Sequence, residues 1–183
     1  GSSEEYGMVL PHEIPIQEDQ PLRPLSPYGV SKVAGEQLGF VYHKSYNLKV
    51  VTTRAFNHTG PRRGDKFVTS RLAKTLAMIK RGKHGNVILA GNMDAVRDFT
   101  DVRDTIRAYI MLADSQAYGI PYNIGTGIGR SISDVLEQLE EIADIKVTVK
   151  TDPNFIRPAD VPRLVADTSK IRADINWEPV IPF

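Results

Sequence analysis

Hydrophobic and polar positions along this 183-residue chain follow two alternating patterns. Apolar residues at helical spacing recur in long segments, and short β-branched or apolar runs lie between them. The helical pattern is found at positions 28–46, 67–81, 102–113 and after Ser131. The strand pattern is found at positions 50–55, 87–90, 122–124 and 146–150. This alternation predicts an α/β fold in which helices cover both faces of a parallel sheet.

Two of the predicted helices have a well-defined inward face. In the second helix, Leu72, Leu76 and Ile79 lie on one side. In the fourth, Ser131 is expected to cap the amino terminus. The apolar positions expected to face inward there are Ile132, Val135, Leu136, Leu139 and Ile142. The run at 146–150 alternates in polarity, which predicts a half-buried strand.

Composition and charge exclude several classes of protein. The chain is 41% hydrophobic and 25% charged, and it has no apolar run long enough to cross a bilayer. A net charge of +1 argues against electrostatic capture of nucleic acid. The basic run at positions 80–84 is expected to be a solvated helix end terminated by Gly82. A cytoplasmic location is compatible with this composition.

Cysteine is absent, which excludes disulfides, thiolate nucleophiles and thiolate zinc sites. The four histidines are scattered without the spacing of metal ligands. No metal site is predicted.

The segment Ser26–Lys32 contains the main candidate chemistry. Tyr28 and Lys32 are four residues apart where a proline turn opens a helix, so their side chains share one face. An ammonium beside a phenol lowers the phenol's pKa and makes it usable for proton transfer. The alternative is a solvated amphipathic face. Polar clusters at the chain start and after the run at 50–55 favour the chemical interpretation.

Several ordered motifs together resemble the extended short-chain dehydrogenase/reductases that act on nucleotide sugars. The resemblance covers essentially the whole chain and is strongest to reductases of GDP-4-dehydro-6-deoxy-mannose, with GDP-mannose 4,6-dehydratases as near relatives. The motifs are Gly1–Gly7, Ser26–Lys32, Val50–Gly64, Gly91–Asp104, Tyr122–Gly127 and Arg157–Asp160. The implied fold is the second half of a doubly wound Rossmann-type parallel sheet plus a small α/β substrate-binding domain.

The resemblance also implies a carboxy-terminal fragment, because the glycine-rich cofactor turn expected near the amino terminus is missing. Gly1–Ser3 is interpreted as native sequence that continues a family motif, and Gly125–Gly129 as a strand-to-helix turn. Residues 1–60 and 101–126 would form the remainder of the Rossmann-type domain. Residues 61–100 and 127–183 would form the nucleotide-sugar domain.

The resemblance assigns catalytic roles to Ser2, Glu4, Tyr28 and Lys32. Tyr28 would donate a proton to the developing alkoxide, Lys32 would assist it, and Ser2 would hold the carbonyl oxygen. Glu4 occupies the position at which dehydratases carry the carboxylate needed for dehydration. The cofactor-binding residues implied are Tyr28, Lys32, Phe56, His58 and Arg63. The substrate-binding residues implied are Ser3, Asn57, Phe67, Val68, Arg97 and Arg157. Surface ion pairs with Asp98 or Asp160 are the alternative for the two arginines.

A GDP-4-dehydro-6-deoxy-mannose reductase is the favoured function. A GDP-mannose 4,6-dehydratase using Glu4 and a non-catalytic nucleotide-sugar binding fragment remain open. The implied cofactor is NADP or NAD, which the isolated chain is not expected to retain. The implied partners are a GDP-sugar and a second copy of the chain bound through the helix at 28–46.

Overall fold

The computed structural model describes residues 1–156 and 161–183. Within these ranges the chain forms a mixed α/β fold. The α-helices are α1 (Pro27–Tyr46), α2 (Val68–Lys80), α3 (Val102–Asp114), α4 (Ile132–Ala143) and α5 (Ser169–Ile175). The strands are β1 (Thr52–Ala55), β2 (Asn57–Thr59), β3 (Val87–Ala90), β4 (Val96–Asp101), β5 (Pro121–Ile124), β6 (Gly129–Ser131), β7 (Thr148–Thr151) and β8 (Arg163–Leu164). Short 3₁₀ turns are formed by Ser3–Glu5, Pro11–Glu13 and Pro153–Phe155.

The strands pair in three groups. Strand β1 pairs with β5 in parallel, and β3 pairs with β7 in parallel. Strand β4 pairs in parallel with β2 and β8 and antiparallel with β6. Parallel pairing therefore predominates, as predicted. The predicted α/β fold is confirmed. The sequence did not predict the antiparallel β4–β6 pair or the break at Phe56, where β1 and β2 belong to different sheets.

The predicted helices are confirmed, and local capping explains their ends. Helix α1 begins after Ser26, whose Oγ accepts a hydrogen bond from the Gly29 N–H at 3.0 Å. It ends at Asn47, which takes the left-handed conformation at φ 53°. Ser131 caps α4 as expected, and its Oγ accepts from the Asp134 N–H at 2.9 Å.

Two predictions of side-chain burial are wrong. Ile142 is 75% exposed, because α4 ends one residue later and Ile145 and Val147 of the following segment pack against the core instead. The strand predicted at 146–150 is β7, and all of its residues are exposed. Among the described strands, β7 pairs with β3 alone, and the apolar Val147 lies just before it.

Three buried clusters hold the fold together. One lies between α2 and α4 around Leu72, Leu76 and Val135. A second packs Trp177 and Ile171 against β5 and α3. The third consists of Tyr6, Ile16, Phe56, Val161, Leu164 and Ala166. Tyr6 follows the amino-terminal turn directly, so this cluster anchors the segment that carries Ser2 and Glu4.

Candidate active site

The amino-terminal turn is stabilised by reciprocal hydrogen bonds. The Oγ of Ser2 accepts from the Glu4 N–H at 3.2 Å, and the Ser2 N–H donates to Oε1 of Glu5 at 2.6 Å. Ser3 is buried, whereas Ser2 and Glu4 are half-buried. The turn therefore leaves the side chains of Ser2 and Glu4 accessible.

This turn lies against the first turn of α1. A Cβ added at Gly29 would lie 2.6 Å from the carbonyl oxygen of Glu4 and 2.9 Å from Cβ of Pro24. Such distances are shorter than side-chain packing allows, so the approach requires glycine at this position. The structure thus brings the segment of Ser2 and Glu4 beside the residue that follows Tyr28.

Tyr28 and Lys32 share one face of α1, as their spacing predicts. The Lys32 Nζ lies 5.2 Å from the centroid of the Tyr28 ring, a cation–π arrangement. Tyr28 is 54% exposed, so its phenol is accessible to a ligand. The arrangement is compatible with proton transfer at the surface of α1.

Arg54 is buried on β1 beneath this region, and sequence analysis did not single it out. Its Nε donates to Oε2 of Glu36 at 2.9 Å, and its Nη2 donates to Oε1 of Glu36 at 2.6 Å. Its Nη1 donates to the hydroxyl of Tyr6 at 3.0 Å and to the carbonyl of Glu18 at 2.8 Å. Burial disfavours the charge of Arg54, but the bonds to Glu36 and Tyr6 outweigh it and raise the pKa of the guanidinium. The signal that could have revealed this group is an arginine inside a β-branched run, because a charge on a buried strand needs a partner.

The hydrogen-bond network continues from Arg54 to β5. The hydroxyl of Tyr6 donates to Oδ1 of Asn123 at 2.7 Å, and Nδ2 of Asn123 donates to the carbonyl of Ile16 at 2.8 Å. The N–H of Asn123 donates to Oε1 of Glu18 at 2.8 Å. Burial raises the pKa of the Tyr6 phenol, which therefore stays protonated as a donor. These bonds tie the turn, β1 and β5 together.

The proposed cofactor residues after β1 differ in accessibility. Phe56 is buried in the core, its ring centroid 6.3 Å from that of Tyr6. The side chain of His58 is exposed, and its carbonyl accepts a hydrogen bond from Arg63. The Arg63 guanidinium also stacks on the ring of Phe67 at 4.0 Å, and burial lowers the pKa of Arg63. Of these three residues, His58 and Arg63 have side chains that reach the surface, whereas Phe56 does not.

Of the proposed substrate residues, Phe67 is exposed at the start of α2, whereas Val68 packs partly against the core. Asn57 is half-buried on β2. One turn after Phe67, the Arg71 guanidinium stacks on the ring of Phe155 at 3.8 Å. Its buried Nε has no hydrogen-bond partner among the described residues. Arg71 was not predicted, because the stack forms between segments distant in sequence.

Arg97 is half-buried on β4, and its Nη1 donates to the carbonyl of Val96 at 2.8 Å. The next residue, Asp98, is fully buried. Its carboxylate accepts from the N–H and Oγ of Thr126 and from the N–H groups of Gly127 and Ala166. Asp98 therefore fixes the loop after β5 to β4. Arg157 and Asp160 lie outside the described residues.

No helix among the described residues is both long and apolar enough to span a membrane. The same residues contain no group of three or more His, Cys, Asp or Glu side chains arranged to hold a metal ion.

The fold and the Tyr28–Lys32 helix place this chain among the extended short-chain dehydrogenase/reductases. The family model described as GDP-mannose 4,6-dehydratase matches residues 1–183, and the chain belongs to this family. The resemblance inferred from the motifs is thereby confirmed.

Relatives in both activity classes match at similar identity. The chain is 33% identical over 180 residues to a GDP-6-deoxy-D-mannose reductase of Pseudomonas aeruginosa, covering 98% of this chain and 59% of the relative. It is 32% identical over 211 residues to a GDP-mannose 4,6-dehydratase of Yersinia enterocolitica, covering 98% of this chain and 55% of that relative. The chain thus spans little more than half the length of these relatives.

Solved structures also match this chain over its full length. The structure of RMD from Pseudomonas aeruginosa complexed with NADPH matches with a TM-score of 0.94 at 32% identity, covering 100% of this chain and 60% of that one. A UDP-glucuronic acid 4-epimerase from Bacillus cereus, in complex with UDP-glucuronic acid and NAD, matches with a TM-score of 0.84 at 30% identity, covering 100% of this chain and 55% of that one.

Proposed function

We propose that this chain provides the catalytic helix and the nucleotide-sugar site of an NADPH- or NADH-dependent reductase of GDP-4-dehydro-6-deoxy-mannose. The observation that supports the proposal is the approach of Glu4 to Gly29, which brings the turn that carries Ser2 against the first turn of the helix that carries Tyr28 and Lys32. The similarity to the Pseudomonas aeruginosa reductase and to the GDP-mannose 4,6-dehydratases supports chemistry on a GDP-sugar.

Reduction of a sugar ketone requires hydride on carbon and a proton on oxygen. Tyr28 donates the proton to the developing alkoxide, and the Lys32 ammonium stabilises the phenolate left behind. The Ser2 hydroxyl donates a hydrogen bond to the same oxygen as negative charge develops there. A bound nicotinamide cofactor supplies the hydride.

The side chains around Tyr28 fit such a cofactor in chemical character. The phenol of Tyr28 and the ammonium of Lys32 are donors suited to ribose hydroxyls, and Tyr28 is exposed. Arg63, which donates to the His58 carbonyl, supplies a positive charge in the loop after β2. Phe56 is buried, so its contribution is to shape the strand end from below. Much of the relatives' length lies outside this chain, so we propose that these residues alone do not retain the cofactor.

The substrate side of the proposal rests on Arg97, with Asn57 and the exposed ring of Phe67. A planar guanidinium pairs well with diphosphate oxygens. Arg97 lies next to Asp98, whose four accepted hydrogen bonds hold this part of β4 in place. Ser3, Val68 and Arg157 complete the substrate set carried over from the family. The division of the chain into residues 1–60 with 101–126 and residues 61–100 with 127–183 belongs to the same proposal.

Dehydration is the second candidate because Glu4 has a half-buried carboxylate on the turn that touches α1. A carboxylate there could remove the C5 proton of a 4-keto sugar before loss of the C6 hydroxyl. Glu4→Gln separates the two functions, since it abolishes dehydration and leaves reduction within about threefold of the unsubstituted activity. Equal loss of both activities would contradict this division of roles.

Two measurements test the function. Calorimetric titration of the chain is expected to detect GDP binding and no NADPH binding. The chain joined behind the amino-terminal segment of the Pseudomonas aeruginosa reductase, a chimera used below, is expected to oxidise NADPH when GDP-4-dehydro-6-deoxy-mannose is added. Conversion of GDP-mannose instead would identify the dehydratase. GDP binding with neither conversion would favour the non-catalytic alternative, and absence of GDP binding would refute the substrate assignment.

A further inference from the structure

Arg54 is positioned at the junction of the elements that carry the proposed catalytic groups. It lies on β1, is 4% exposed, and forms a two-pronged ion pair with Glu36 of α1. Two parallel N–H···O bonds fix both distance and orientation, which a single contact does not. The pair therefore restrains the rotation of α1 about its own axis.

That rotation determines where Tyr28 and Lys32 point. Glu36 is four residues beyond Lys32 and eight beyond Tyr28 on the same helix. It is therefore turned about 40° from Lys32 and about 80° from Tyr28 around the helix axis. The distance from Glu36 to Tyr28 along the axis is about 12 Å. Because the helix is rigid, a rotation of α1 at Glu36 also changes the orientation of Tyr28 and Lys32.

The amino-terminal turn is connected to the same guanidinium through Glu5. Oε1 of Glu5 holds the N–H of Ser2 at 2.6 Å, and Oε2 lies 3.8 Å from Nε of Arg54. Oε2 is buried, with no hydrogen-bond partner among the described residues. Arg54 therefore lies between the carboxylate of Glu5, which accepts from the Ser2 N–H, and the carboxylate of Glu36, which belongs to α1.

We propose that Arg54 and Glu36 are positioning residues that set the placement of Tyr28 relative to Ser2. The inference rests on the proposed function, because it concerns the site at which Ser2 and Tyr28 act together. Stability alone is a weak explanation for the pair, since buried ion pairs can often be replaced by apolar residues without loss of stability. The positioning role and the stabilising role can therefore be separated by experiment.

The test variant is Arg54→Met with Glu36→Leu, which removes both charges of the pair together. Glu5, the Tyr6 hydroxyl and the Glu18 carbonyl lose their contact with Arg54 in this variant. The matched control is Glu140→Gln with Lys146→Met, which removes another ion pair of a buried carboxylate, on α4. Glutamine at position 140 can still accept from the Val147 N–H. In the isolated chain, the readouts are the unfolding midpoint and nuclear Overhauser contacts between Glu4 and Gly29. In the chimera, they are kcat and KM for the sugar nucleotide.

We expect the Arg54/Glu36 variant to remain folded but to lose or weaken the Glu4–Gly29 contacts. In the chimera, kcat should fall about thirtyfold or more while KM changes less than about threefold. The control should keep the contacts and both constants. Arg54→Lys keeps the charge without the fork and should also lower kcat, so it replaces the double variant if that one does not fold.

The proposal is overturned if the folded double variant, or Arg54→Lys in its place, keeps the Glu4–Gly29 contacts. A parallel change of kcat and KM in the variant and the control would also overturn it. If the unsubstituted chimera is inactive on both sugar nucleotides, the proposed function fails, while the contacts in the isolated chain still decide whether Arg54 and Glu36 position the turn against α1.

Discussion

The carbonyl oxygen of Glu4 lies only 2.6 Å from the position that a Cβ on Gly29 would occupy. This is a contact between the turn that carries Ser2 and the first turn of the helix that carries Tyr28 and Lys32. Gly29 is buried, whereas Tyr28 beside it is exposed. The glycine thus allows the backbone to approach while the neighbouring phenol stays accessible.

Replacement of Gly29 by alanine is therefore expected to separate the turn from α1. Forcing a methyl group into such a contact costs about 1–3 kcal/mol of unfolding free energy. In the chimera the activity should fall at least about tenfold because Ser2 and Tyr28 move apart. Urea unfolding of the chain and turnover of the chimera measure the two effects.

Gly35→Ala is the control on the same helix. Gly35 is exposed, and a Cβ there meets no atom within 4 Å. Alanine should raise the unfolding free energy by about 0.5–1 kcal/mol, since glycine is a poor helix residue, and leave turnover unchanged. If both alanine variants gain stability and activity is unaffected, the contact at Gly29 has no functional role.

The sequence predicted the long helices and four strands because apolar periodicity and capping residues encode them locally. It missed the short strand β8 and also β2, β4 and β6, most of whose residues are not apolar. Asp98 and Thr100 are buried on β4, and Asp98 is satisfied by the distant Thr126, Gly127 and Ala166. A strand stabilised by partners remote in sequence has no local pattern by which it can be recognised.

In the candidate site, too, some features could be predicted from the sequence and others could not. The spacing of Tyr28 and Lys32 on one helix could be predicted from sequence alone. The partnership of Arg54 with Glu36, and the stack of Arg71 on Phe155, could not, because each joins separate elements. The exposure of Ile142 was also missed, because packing after the end of α4 is decided by the segment that follows.

Removal of the Tyr28 hydroxyl provides the most direct test of the proton donor. Tyr28→Phe keeps the ring over which Lys32 lies, and the exposed position predicts little change in stability. Turnover of the chimera should fall by about a hundredfold or more. Tyr46→Phe, at the exposed far end of α1, is the control and should keep full turnover. Near-complete activity in Tyr28→Phe would remove Tyr28 from its role.

Glu5 is expected to make the stability depend on pH. Burial raises its pKa above the ordinary value of 4.5, so the folded state binds this proton more tightly than the unfolded state. Its contribution to stability is complete below the unfolded pKa and is lost as the pH rises through the folded pKa. Glu5→Gln removes this titration and should lessen the decline of the unfolding free energy above pH 4.5.

Asp134→Asn is the control, because the titration of Asp134 changes the stability with pH in the opposite direction. The cap at Ser131 lowers the pKa of Asp134, so its contribution is lost as the pH falls through the folded pKa. Urea unfolding across a pH series distinguishes the two variants. The same decline with rising pH in Glu5→Gln and in the unsubstituted chain would show that Glu5 does not titrate as proposed.

The outer face of α1 is the surface through which we propose that two copies of the chain associate. Val30, Ala34, Leu38 and Val41 form an exposed stripe at helical spacing, opposite the buried Gly29 and Glu36. An apolar stripe on a surface helix is typical of an interface between helices. Leu38→Glu places a charge in the middle of this stripe and should convert a dimer to a monomer in light scattering after size exclusion. Ile142→Glu, on the exposed end of α4, is the matched control and should leave the mass unchanged. If the unsubstituted chain is monomeric, or if both variants change the mass equally, the interface lies elsewhere.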